Sequence, residues 1–387
     1  MNLTQIVNQL EQQKLQKRDI VFPSNCLSMK NGDLVLNDVP DMDYSNLNDL
    51  LKSSGISSSK SKNRTINLKT LDICDEQISE KLGIPKRYYD RLKKDHPALL
   101  DHSVDYLFKH EPKNYLVRTF SPTDPNKDKG VARALLSDNF KVIDHLDVLV
   151  TALEAIKESG TRVEIESCDL TDKRMYVRFI APDIKAEAPK LLQNYKAPKG
   201  KGNPAEPNAV VAGFILSNSE TGHGRFIIAP RLVVLVCNNG MTRMQDSLAK
   251  THLGAKLDDG VIDWSQATIV KNLELIQLQV KDAVKAFANP DYLARTIREI
   301  ESMGTELLKH PVDAVNNVCS SLKLSDERTQ SILDYFVKAG DTSRFGITQA
   351  MTAYAQDENP DDRHELEVAA MNILPKIAAL DFVGESK

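Results

Sequence analysis

Catalytic chemistry needs a nucleophile or base within reach of a group that activates it, and this sequence offers one such pair. His223 lies in the run Ser217-Asn218-Ser219-Glu220-Thr221-Gly222-His223-Gly224, and Cys237 closes the apolar segment that follows. A thiol beside an imidazole makes an activated nucleophile. Here no third residue orients the pair. A cysteine closing an apolar run reads as a small buried hydrophobe, and a histidine between glycines as a turn residue. Glu164 and Glu166, two apart on a strand, share a face and offer two carboxylates to a cation; an exposed strand face accounts for them more simply. HExxH, Walker, GxSxG and dinucleotide fingerprints are all missing. The sequence assigns no catalytic residue, no metal ligand and no cofactor.

The cations carry more information. Lys196, Lys199 and Lys201 ride a segment, 196–208, with three prolines and two glycines among thirteen residues, which reads as a long loop. Arg225 and Arg231 have even separation on one expected strand and therefore share a face, and Arg243 follows the turn Asn238-Asn239-Gly240. Spaced cations with backbone amides in Gly/Ser/Asn turns hold phosphates, and Tyr195 and Phe226 offer rings for stacking. These six cations are the candidate nucleic-acid contacts. The competing reading is a sheet edge guarded by lysine. Between Lys185 and Lys256 ten Lys/Arg face four Asp/Glu, and between Leu324 and Lys387 six face twelve. A basic centre with an acidic C-terminal part suits a polyanion partner; solvated faces are the plain alternative.

Positioning these residues requires a sheet. Ala209–Leu216 and Arg225–Val236 are β-branched and apolar between Gly, Asn and Ser, which predicts two antiparallel strands meeting at 217–224, with polar ends that make a platform for a site. Hairpins are expected around Asn31-Gly32 and between 162–167 and 175–180, strands at 115–120 and 131–140, and helices over 2–17 and 144–157, the last stopped by Gly160. Lys52 to Lys62 is Ser/Lys-rich and reads as a linker. Gln77–Leu92, broken at Gly83-Ile84-Pro85, has helix-turn-helix spacing with Lys86, Arg87 and Arg91 opening the second helix; the same pattern serves any packed helical corner, the reading favoured here. From Trp264 amphipathic segments punctuated by Pro290, Pro311 and Pro360 predict a helical C-terminal region. The expected fold is α+β with an antiparallel β-rich centre, in three segments: 1–65 (helix, hairpin and linker), 66–260 (core with the central sheet) and 261–387 (helical).

The 387 residues, 41% hydrophobic and 27% charged with net charge −4, exclude wholesale disorder and make no global demand for nucleic acid. No apolar run approaches the roughly 20 residues of a membrane span. The opening Met1-Asn2-Leu3-Thr4-Gln5 lacks a signal-peptide pattern, and the five cysteines are scattered without a CxxC pair. A reduced, cytoplasmic protein is expected. Leu273, Ile276, Val280 and Val284 form an apolar stripe that predicts a homo-oligomer.

Arg133-Ala134-Leu135-Leu136-Ser137-Asp138-Asn139-Phe140-Lys141-Val142-Ile143-Asp144, Gly213 through Ser219 with Gly222, and Cys237-Asn238-Asn239-Gly240-Met241 occur in the order that resembles a family of phage/plasmid-like proteins of unknown function. Leu82-Gly83-Ile84-Pro85 and Thr348-Gln349-Ala350-Met351-Thr352 are similar to further landmarks of it, so the resemblance covers roughly residues 70–375. It implies a gene of a phage, plasmid or integrated element and carries over no catalytic residues. With the cations, the expectation is a non-catalytic DNA-binding protein, single-stranded DNA favoured, acting in recombination, replication or DNA protection. The alternatives are an interaction protein that inhibits a host defence component, or a nucleic-acid-processing enzyme; a host defence or recombination protein is then a partner.

Overall fold

The computed structural model describes residues 1–39, 64–122, 129–197, 206–235, 239–250 and 266–383. These fall into two units: one takes in the described residues between Asn8 and Val142, the other Met1–Val7 with those from Ile143 onwards. The fold is α+β with two mostly antiparallel sheets and a helical C-terminal region.

Helix α1 (Leu3–Gln16) opens the chain. Strands β1 (Lys17–Pro23), β2 (Leu27–Lys30), β3 (Asp33–Val39), β4 (Arg64–Thr70), β5 (Asn114–Phe120) and β6 (Gly130–Ser137) form the first sheet in the order β1-β5-β6-β4-β3-β2, with only β4 and β6 parallel. Asn31 and Gly32 join β2 to β3 with φ of 53° and 76°, the doubly left-handed turn that matches strand twist. Helices α2 (Asp72–Lys81), α3 (Lys86–Asp95) and α4 (Pro97–His110) share one apolar core with this sheet, where Ile78, Tyr89, Leu92, Val104 and Phe108 meet Leu34, Leu68, Val117 and Leu135. The corner between α2 and α3 serves packing. Gly83 turns it at φ 66°, and the Lys93 ammonium reaches the Asp75 carboxylate at 2.6 Å, with the Tyr89 hydroxyl donating to the same group at 3.1 Å. Burying Ile78, Tyr89 and Leu92 contributes about 2 kcal/mol each. The exposed pairs of Lys86 with Asp72 and Asp90 contribute at most about 1 kcal/mol.

Beyond Met1–Val7, the second unit continues with α5 (His145–Ser159), capped by Gly160 at φ 72°. Its sheet runs β11-β10-β9-β8-β7, all antiparallel: β7 (Glu164–Leu170), β8 (Met175–Glu187), β9 (Ala209–Asn218), β10 (Phe226–Val234) and β11 (Asn239–Thr242), with β12 (Leu248–Lys250) also on β10 and a short α6 (Pro189–Leu192) after β8. The expected β9–β10 pairing is present, from Ile227 opposite Ser217 to Val234 opposite Val210, and every residue of both strands is buried. Gly213 lets β9 approach β8 beside a bulge: a Cβ there would stand 2.4 Å from the Phe179 carbonyl oxygen. Helices α7 (Gln266–Phe287), α8 (Pro290–Gly304), α9 (Pro311–Ser321), α10 (Asp326–Ala339), α11 (Arg344–Ala355), α12 (Pro360–Ile373) and α13 (Ile377–Leu380) follow. Asn289 and Asn359 cap α8 and α12 through their side chains, each just before the proline that opens the helix. Val210, Ala212, Leu232 and Val234 of the sheet share a core with Ile297, Val315, Phe336, Phe345 and Met371 of these helices.

The stripe on α7 finds its cover within the chain. Ile276, Val280 and Val284 are fully buried, α7 packing on α5 and touching β9 and β10, while the side chain of Leu273 lies outside the described residues. That stripe gives no reason for a second copy. No helix among the described residues is long and apolar enough to cross a membrane. Because the neighbour of Gly213 is backbone, Gly213→Ala forces β8 and β9 apart and lowers stability by about 1–3 kcal/mol, read as a lower urea midpoint with an unchanged slope.

Candidate nucleic-acid interface

The connection 217–224, expected as an open platform, is instead a buried staple. Ser217, Asn218, Ser219 and Glu220 have no solvent exposure. The Ser219 hydroxyl donates to the Lys173 carbonyl at 2.7 Å and accepts from the His223 amide, and Thr221 donates to the Asp172 carbonyl, so the connection closes over the β7–β8 turn. Asn218 donates to the Ile143 carbonyl at 3.0 Å, and Glu220 accepts from the His145 amide at 2.7 Å, placing a carboxylate at the first turn of α5. Asn218, Ser219, Glu220 and Thr221 face inward because they supply partners to backbone groups that the sheet leaves without any, while the Ser217 hydroxyl is buried without a partner among the described residues. Cys237 and Asn238 lie outside the described residues.

Two candidate cations have become structural. Arg231 is 1% exposed, not at a free sheet end. Its guanidinium donates to Glu166 at 2.5 Å and to Glu367 of α12 at 3.2 Å. Glu166 reaches it because β7 bulges between Ile165 and Ser167; Glu164 pairs instead with Arg162, so the two carboxylates part company. Gly240 makes the room, since a Cβ on it would lie 1.7 Å from Arg231 Nη2. Arg243 is likewise buried, with Glu299 at 3.1 Å and Asp246 at 3.2 Å. Tyr195 and Phe226 are buried too, which removes them as stacking surfaces; the Tyr195 hydroxyl accepts from Asn239. Lys196 is exposed, its amide donating to the Ala339 carbonyl, whereas Lys199 and Lys201 lie outside the described residues.

Arg225 precedes β10 rather than belonging to it, and is exposed. With Arg174, from the β7–β8 turn, and Lys376, just beyond α12, it lines a pocket of about 500 Å³. No carboxylate pairs with any of these three cations among the described residues. Two nitrogens of Arg174 grip the His223 carbonyl, Nε at 2.8 Å, and Gly224 leaves space for the guanidinium, where a Cβ would sit 1.9 Å from Nη2. His364, Glu365, Val368, Ala369 and Asn372 of α12 line another side at the spacing of one helix face. His364 is 5% exposed, packs against the Tyr176 ring at 5.1 Å between centroids, and leaves Nδ1 without a hydrogen-bond partner. Burial, with Arg178, Arg174 and Arg231 near it and against the pull of Glu367, pushes its pKa down to about 3, so the ring is neutral. Arg174, Lys376, His364 and Asn372 do not stand out in the sequence; the helical spacing of His364, Val368 and Asn372 was the available signal. Among the described residues no group of three or more His, Cys, Asp and Glu is placed to hold a metal ion.

Compared with protein-family models, curated proteins and solved structures, the chain matches none.

Behind the pocket, Glu367 accepts from Arg231 and, at 3.0 Å, from Arg363, with Arg178 at 3.7 Å. Burial alone would raise its carboxyl, but Arg231, Arg178 and Arg363 outweigh burial and hold it down from 4.5 to about 2. A depressed folded-state pKa means that the unfolded chain binds more protons over this interval, so the stabilisation is complete above about 4.5 and is lost as pH falls towards 2. His364 acts in the same direction between its ordinary 6.5 and about 3, because only the unfolded chain protonates it there. Glu367→Gln should cost about 3 kcal/mol at neutral pH, the scale for leaving buried charge uncompensated. Denaturation midpoints measured from pH 7 to pH 3 should fall less steeply below pH 4.5 in that variant than in the wild type.

Proposed function

We propose that this chain is a non-catalytic nucleic-acid-binding protein, single-stranded DNA favoured, of a phage, plasmid or integrated element, acting in recombination, replication or DNA protection. The observation that carries the reading is the gathering of Arg174, Arg225 and Lys376 round one pocket with no carboxylate pairing with any of them among the described residues. Elsewhere in the same unit Arg178, Arg231, Arg243, Arg328 and Arg363 are matched to acidic partners. Leaving cations unmatched costs little in water and leaves them available to phosphates, whose binding releases counterions. Apolar wall between the cations suits a strand whose bases are unstacked better than a rigid duplex. Lys196 is a further exposed cation of this unit, and Arg231 and Arg243 drop out because their charge is spent inside the fold.

The test is the triple variant Arg174→Gln, Arg225→Gln, Lys376→Gln, assayed by fluorescence anisotropy with single- and double-stranded DNA at two salt concentrations. Affinity for the single strand should fall, and the slope of log affinity against log salt should flatten by about 0.7 for each phosphate that is no longer neutralised. A wild type that binds no DNA at low salt, or a triple variant that binds as well as the wild type, would overturn the reading.

A further inference from the structure

We propose that the pocket between β8, β10 and α12 takes in one nucleobase of the bound strand, with His364 and Asn372 addressing its edge and the rim cations holding the flanking phosphates. This rests on the nucleic-acid reading above and adds what the interior of the site is for.

The volume, about 500 Å³, falls within the roughly 300–1,000 Å³ that small ligands occupy. Its charge is arranged in zones. Arg225 and Lys376 are exposed and Arg174 is half-buried, so the positive groups stand towards the solvent side. The remaining wall is largely apolar, from Ile227, Met244, Leu322, Val368 and Ile373. A phosphate pushed inward would lose its hydration to apolar surface, whereas an uncharged heterocycle would bury its faces there at no such cost; the exposed Glu365 carboxylate stands on the solvent side with the cations.

The polar groups of the lining suit the edge of a base. A buried ring nitrogen without a partner is uncommon, because the hydrogen bond it gave up with water is not replaced. His364 is such a case, neutral and lining the pocket with its Nδ1 shut off from solvent, so a base edge that displaces the wall slightly would give the ring the partner it lacks. Asn372, two helical turns further along α12, is exposed and brings a carboxamide that both donates and accepts, the pairing that serves a base edge. Rim cations, apolar walls and an edge reader are the parts by which single strands are held through phosphate and base together.

The experiment compares a short single strand with a strand of equal length in which the bases are replaced by abasic sites, using fluorescence anisotropy on the full chain. The wild type should prefer the base-bearing strand by roughly tenfold or more. Asn372→Ala, at an exposed position, should lose most of that preference and keep its affinity for the abasic strand. His364→Phe keeps an aromatic ring, slightly larger, and removes both nitrogens, and should do the same; should it fail to fold, Asn372→Ala decides alone. Arg225→Gln should weaken both strands alike. Equal affinity of the wild type for the two strands, or an unchanged preference in Asn372→Ala, would overturn the base pocket and leave the nucleic-acid reading standing. Binding of neither strand at low salt would overturn both.

Discussion

The carboxylate of Glu367 has no solvent exposure and sits among Arg178, Arg231 and Arg363. Around it the second unit is tied together: Arg178 comes from β8, Arg231 from β10, Arg363 from the same helix as Glu367, and Asp169 and Glu166 of β7 complete the neutralisation. A hydrophobic contact between helix and sheet would tolerate sliding by a fraction of an ångström. Charge-assisted hydrogen bonds in a dry interior do not, because removing a partner exposes a guanidinium to a medium that cannot solvate it. The network therefore fixes where α12 lies along β10, while the Tyr176 hydroxyl of β8 donates to Asp361 of α12 at 2.8 Å; together they set the helix face carrying His364, Val368 and Asn372. The pocket is a by-product of that alignment: its wall includes His364, one turn before Glu367 on the same helix.

The parts of the fold that local chemistry dictates were legible in the sequence. Apolar, β-branched runs gave β9 and β10, Asn31-Gly32 gave its turn, and prolines after Asn289 and Asn359 marked helix starts where capping side chains do stand. Burial of charge was not legible. An arginine in an apolar run reads equally as an edge cation or as half of an internal pair, and the residue that decides for Arg231, Glu367, lies 136 positions away. The alternation rule also failed locally for sound reasons, since Arg225 lies before the strand begins and the bulge at Glu166 breaks the register of β7.

The candidate site was half visible for a related reason. Arg225 was identifiable because it stands beside a turn, but its companions come from the β7–β8 turn and from beyond α12, and only the tertiary fold joins those segments. Asn218 to Thr221, rich in groups that suggest ligand contacts, serve the backbone instead. In this unit the polar residues that look most functional in sequence hold the fold, and those lining the opening are ordinary surface residues of a helix and a turn.

Gly224 and Gly240 each occupy the space beside a guanidinium, that of Arg174 and that of Arg231. Each glycine and its arginine are thus a single inherited character written at two positions. A larger residue at the glycine evicts the cation, and once the cation is gone nothing keeps the glycine small. Divergence at these sites should run through paired replacements or none, so that related chains, when aligned, show both residues together or neither.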